Sequence, residues 1–157
     1  FNVTHNKNSM AAKVLIHGLS YRNTDNTAVV FRIEISLREK TVKETETKEI
    51  FPFYADIQPY LMKVMSLDEI FAEKVRAILT RTKARDVFDV RFLLHKGVHI
   101  NENLVNEKLR GYNLKYSKTA LVDKIKAVKS VWQNELSQLV KVVPEFDEVI
   151  KQIRERL

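Results

Sequence analysis

The chain has 157 residues, 45% hydrophobic and 30% charged, a net charge of +7 and no cysteine. That suits one domain, or a small sheet region joined to a helical one, and excludes a disulfide framework and a thiolate metal site. No run approaches the roughly 18 apolar residues of a membrane span, and no signal-peptide pattern occurs, so a cytoplasmic protein without a membrane partner is expected.

Residues 1–10 (FNVTHNKNSM) are polar and without period and predict a frayed or linking segment. Residues 12–19 form a short apolar run that predicts a strand. The Asn, Asp and Thr of residues 21–27 have turn chemistry, and residues 28–36 (AVVFRIEIS) alternate as a second strand does, the two pairing as a hairpin. Residues 40–48 alternate charges with threonines, as in an exposed connection or sheet edge. Residues 49–54 offer another strand, held to an edge by Pro52.

From Ser66 onward the pattern is helical. A capping signal, Ser66 with Glu69, opens a helix that runs to about Arg81. A second helix covers residues 85–96 before Gly97, a short one residues 101–110, a long one residues 117–140, and Pro144 starts the last. The fold class is α+β: a few antiparallel strands followed by a C-terminal helical bundle, divided as residues 1–60 and 61–157.

The first long helix carries an anomaly. At about 100° per residue with Leu67 at zero, Ile70, Phe71, Val75 and Ile78 fall in one sector, and Lys74 (about −20°) and Arg81 (about −40°) fall inside it. Asp68, Glu69, Arg76 and Lys83 fall outside, as solvent residues do. A lysine in an apolar stripe must snorkel, meet a buried acid or face a cavity. Asp86 and Asp89 follow at i, i+3, and Arg85–Asp89 is an i, i+4 pair. These residues read either as a phosphate cradle or as a salt-bridge network locking two helices. Glu34, opposite Ile33 and Ile35 on its strand, reads as a solvent-facing glutamate or as a metal carboxylate. Five lysines, 115, 118, 124, 126 and 129, stand against one acid, Asp123, and suggest an anionic partner. His95 and His99 straddle Gly97, which argues against a zinc pair. Trp132 is expected in the core.

Residues 66–94 (SLDEIFAEKVRAILTRTKARDVFDVRFLL) resemble a signature block of the AbiEii/AbiGii toxin family of nucleotidyltransferase-like proteins. The matching residues are Ala72, Glu73, Lys74, Arg76, Ala77, Arg81, Arg85, Asp86 and Asp89. Upstream, IEISLRE at residues 33–39 is similar to the family's I-D-I-S strand followed by R-E, with Glu34 in the aspartate position. The resemblance implies a nucleotidyltransferase-like sheet before the helices. The implied activity moves a nucleoside monophosphate from a nucleoside triphosphate to an acceptor, transfer RNA in some members, with a cognate antitoxin as partner. It further implies a Mg²⁺ site in which Glu34 is the third carboxylate and a phosphate contact from Lys74. Asp86 or Asp89 would orient Lys74 or serve as base, and Arg81 or Arg85 would bind phosphate or acceptor.

The family's first signature, a glycine turn followed by aspartate-x-aspartate, is absent here, and the chain starts at Phe1. The expectation is therefore a C-terminal portion of a longer toxin, inactive alone. The alternatives are a non-catalytic basic helical module that binds RNA or nucleotide, and a structural domain in which Lys74, Asp86 and Asp89 form a buried network.

Overall fold

A computed structural model of the chain describes residues 2–37 and 40–157. The chain divides into two compact units, the first ending at Lys40 and the second spanning Thr41–Leu157. Strands come first and helices after them, so the architecture is the expected α+β.

The first unit is a single antiparallel sheet of β1 (Asn2–Asn6), β2 (Ser9–Ile16) and β3 (Val29–Ser36), in the order β1-β2-β3. The opening residues are thus a hairpin strand rather than a frayed segment. The reason is local: Asn6 Oδ1 accepts from the Asn8 amide at 3.2 Å, the Ser9 amide at 2.9 Å and the Ser9 hydroxyl at 3.0 Å, which folds the turn. In β2–β3, Met10, Ala12 and Val14 face Ile35, Ile33 and Phe31, so the apolar side chains gather on one face of the sheet. Between these strands Thr27 Oγ1 accepts from the Arg22 amide at 2.8 Å and donates to Thr24 O at 2.7 Å. Of the IEISLRE motif, Arg38 and Glu39 lie outside the described residues.

The second unit begins with a hairpin of β4 (Glu46–Ile50) and β5 (Tyr60–Val64). β4 ends before Pro52, whose missing N–H cannot serve a ladder. Six helices follow: α1 (Leu67–Thr80), α2 (Ala84–His95), α3 (Glu102–Leu109), α4 (Lys118–Ala127), α5 (Lys129–Leu136) and α6 (Phe146–Arg156). α1 packs against α2, α3 and α4, and α2 also meets α5 and α6. Phe71, Val75, Val90, Leu109, Ile125 and Ile153 lie fully buried in the resulting core.

The expected long helix over residues 117–140 is two helices. Leu121, Ile125, Val128, Trp132 and Leu136 keep one helical period and are all buried, which is why the sequence reads as unbroken. The break lies at Val128, whose amide donates to Ile125 O at 3.0 Å and whose carbonyl accepts from the Val131 amide at 3.1 Å. These i→i−3 bonds tighten the turn and start a new axis. Trp132 is a core anchor, its Nε1 donating to Pro144 O at 2.8 Å and its ring meeting Phe146 edge-on at 5.4 Å. Gly97 takes φ +77° after α2, and the amides of Gly97 and Val98 return to Leu94 O and Leu93 O at 3.1 Å each, a Schellman closure.

Candidate functional site

The candidate site is built on the α1–α2 reversal. Arg81 and Lys83 are extended rather than helical, so α1 ends and α2 turns back alongside it. Lys83 offers no side-chain cap to α2. Glu135 of α5 does so instead: Oε2 accepts from the Ala84 amide and Oε1 from Lys83 Nζ, each at 2.9 Å. The Lys83 ammonium, then the Ala84 amide, hold the Glu135 carboxyl below the usual glutamate range.

The reversal brings four of the sequence-derived residues together. Arg81 donates through Nε to Asp86 Oδ2 at 2.8 Å and through an η nitrogen to Oδ1 at 2.9 Å, a two-pronged pair. Lys74 Nζ lies 3.6 Å from Asp86 Oδ1 and 2.6 Å from Asp89 Oδ2. Burial separates the roles: the Asp86 side chain has no exposure, whereas Lys74 keeps 29%, Asp89 41% and Arg81 49%. Asp86 also sits in the first turn of α2, where the helix dipole favours a carboxylate. Arg85, beside it in that turn, is exposed. Two cations therefore reach solvent from one sequestered acid.

Lys74 lies inside the buried arc of α1, flanked by the buried Ile78 (about 20°) and Ala77 (about −80°). Ala72 and Leu79 are buried as well, at about 140° and 120° on the same wheel, and they widen the arc on its other side. That widening takes in Glu69, expected in solvent. Glu69 is 1% exposed, pairs with Lys108 of α3 and accepts from the amides of Val42 at 2.9 Å and Lys43 at 3.0 Å. Burial alone would raise its pKa; Lys108 and the two amides outweigh that and hold it below the usual glutamate value. Lys108 reaches Glu73 at 3.0 Å, and Arg76 joins Glu73 and the Tyr112 hydroxyl at 2.9 Å each. The signal for Lys108 was present in the sequence: at i+4 from Leu104 and i+3 from Val105 it lies on the apolar face of its helix.

Glu34 stands in the first unit on β3, exposed, with Arg32 at 3.6 Å. Among the described residues no three acidic or histidine side chains converge where a metal ion could be held. Among the described residues no helix is long and apolar enough to cross a membrane.

The family model described as nucleotidyl transferase AbiEii toxin, type IV TA (toxin–antitoxin) system, matches residues 4–152. The chain belongs to this family. Nucleotidyl transfer, a nucleotide substrate and an antitoxin partner are what AbiEii membership brings at the family level. No curated protein and no solved structure matches the chain. Residues 66–94, whose sequence resembles a signature block of the AbiEii family, form the α1–α2 reversal and its cluster of Lys74, Arg81, Asp86 and Asp89.

Proposed function

We propose that this AbiEii chain supplies the phosphate-binding side of a nucleotidyl-transfer site, with transfer RNA as an acceptor. One observation carries the reading: a fully buried Asp86 orients both Lys74 and Arg81 while both cations keep access to water. Such a pair presents oriented positive charge to a triphosphate. Asp86, with both oxygens engaged, is a positioning residue. Asp89 is the more exposed acid, and a phosphate oxygen arriving at Lys74 would displace it. Asp89 is then placed to accept the proton of an acceptor hydroxyl as that oxygen bonds to the α-phosphorus and pyrophosphate leaves. Arg85 extends the same charge toward the acceptor's phosphates.

A second reading, a basic module binding RNA or nucleotide without catalysis, draws on α4 and its approach. Lys126 pairs with Asp123 and Lys129 with Asp147, whereas Lys115, Lys118 and Lys124 make no ion pair among the described residues.

One titration separates the two. Calorimetry with a nucleoside triphosphate is expected to give binding that Lys74→Ala removes and that a Lys118→Ala/Lys124→Ala double variant leaves intact. The opposite pattern would overturn the first reading in favour of the second. Mixed with Mg²⁺, labelled nucleoside triphosphates and transfer RNA, the chain by itself is expected to give no transfer, since its described residues form no metal-binding cluster.

A further inference from the structure

We propose that Lys83 and Arg85, oriented by Glu135, form a second phosphate subsite that takes the backbone of an RNA acceptor. The subsite extends the reading of Lys74 and Arg81 as triphosphate contacts and rests on it. The start of α2 departs from the usual rules for a helix. Its N-cap position holds Lys83 rather than a serine, threonine, aspartate or asparagine. Arg85 follows in the first turn, so two cations stand where the helix dipole disfavours positive charge. Local rules give way in this manner at functional sites, with the cost offset elsewhere.

Glu135 supplies that offset from α5. Its carboxylate accepts from Lys83 Nζ and from the Ala84 amide, and Arg85 acts on the same carboxyl by charge. Capping alone needs only the bond to Ala84. The other oxygen fixes an ammonium that still has N–H donors to offer. Lys83 keeps 49% exposure, and Arg85 is exposed with no hydrogen bond or ion pair among the described residues. An anion arriving here meets these side chains, since the Ala84 and Asp86 amides are already bound to Glu135 and to Lys83 O. Lys74 and Arg81 on Asp86 match a triphosphate by themselves. The next cations along the chain, Lys83 and Arg85, suit an anion whose charge repeats, as the phosphodiesters of RNA do.

Fluorescence anisotropy with a labelled single-stranded RNA, run over a salt series, tests the subsite. Lys83→Ala is expected to weaken binding and to make log affinity against log salt shallower by about 0.7, the value of one phosphate contact. Lys83→Ala/Arg85→Ala is expected to double that change. Lys151→Ala, which takes the same charge from the exposed side of α6, is expected to leave the slope unmoved. Glu135→Gln shows whether the acid positions the cations. Loss of a negative charge beside RNA tightens binding by itself, whereas loss of the orientation of Lys83 weakens it, and weaker binding is expected. A slope that responds to Lys151→Ala as much as to Lys83→Ala, or tighter binding by Glu135→Gln, would overturn the proposal. Lys83→Ala keeps the Glu135 bond to Ala84 available, so it decides the question even where Glu135→Gln fails to fold. The triphosphate reading underneath stands or falls separately, on the Lys74→Ala calorimetry, which contains no RNA.

Discussion

Asp86 and Lys74 touch the same cluster but should behave differently when removed. Asp86→Ala leaves Arg81 and Lys74 without their shared acid. Breaking a buried pair from one side costs roughly 3–5 kcal/mol, and the low end is expected because both cations reach water. Lys74→Ala leaves Asp86 in its two-pronged bond with Arg81, and an expected loss of about 1 kcal/mol or less follows the pattern of partly exposed pairs. Urea denaturation of the two variants measures the difference. Equal losses would mean that Lys74 serves only to neutralise Asp86, and the phosphate-binding role would fall with that result.

At the scale of elements, the start of α2 depends on a carboxylate from α5. Glu135→Gln removes the charge that Lys83 and the Ala84 amide share, and a loss of about 0.5–2 kcal/mol is expected, the usual range for a helix cap. The pH dependence has a definite sign. The folded carboxyl titrates below its unfolded value, so its contribution is complete above the ordinary glutamate pKa and is lost as pH falls through the lower folded value. Glu69 acts in the same direction. Acid titration of stability, parent against Glu135→Gln, is expected to converge at low pH; parallel curves would refute the assignment.

The elements that the sequence revealed are those with local signals. Ser66 marks the start of α1, its Oγ accepting from the Glu69 amide at 3.3 Å, and Gly97 marks the end of α2. What stayed hidden depends on partners distant in sequence. Glu135 caps a helix that begins 51 residues earlier. Glu69 fits the capping signal at Ser66, yet its side chain answers amides 27 and 26 residues away. In the site, the neighbourhood of Lys74 with Asp86 and Asp89 was legible because i, i+3 spacing and an ion in an apolar stripe are sequence properties. Which acid is sequestered and which is exposed was not, since burial of Asp86 follows from packing of α1 on α2.

For the whole molecule, the two units differ in what stabilises them. The second has a continuous core of buried aliphatic and aromatic side chains. The first is a three-stranded layer whose β3 is exposed along its whole length, and a layer of that size has little apolar burial to offset its ordering entropy. Amide hydrogen exchange is therefore expected to be fast across β1–β3 and slow in α1, α2 and α4. Uniform protection across both units would contradict this division.

The grip of Glu69 on the amides of Val42 and Lys43 has a topological consequence. Together with the Lys43–Asp68 ion pair at 2.5 Å, it fastens the chain at residue 43 to the chain at residue 69. Everything between, the β4–β5 hairpin included, becomes a closed excursion whose two feet stand side by side on the first turn of α1. The length of such an excursion enters stability only weakly, through the logarithm of loop size. The hairpin is thus a place where this fold can lengthen, shorten or exchange sequence without disturbing the helices that carry Lys74 and Asp86.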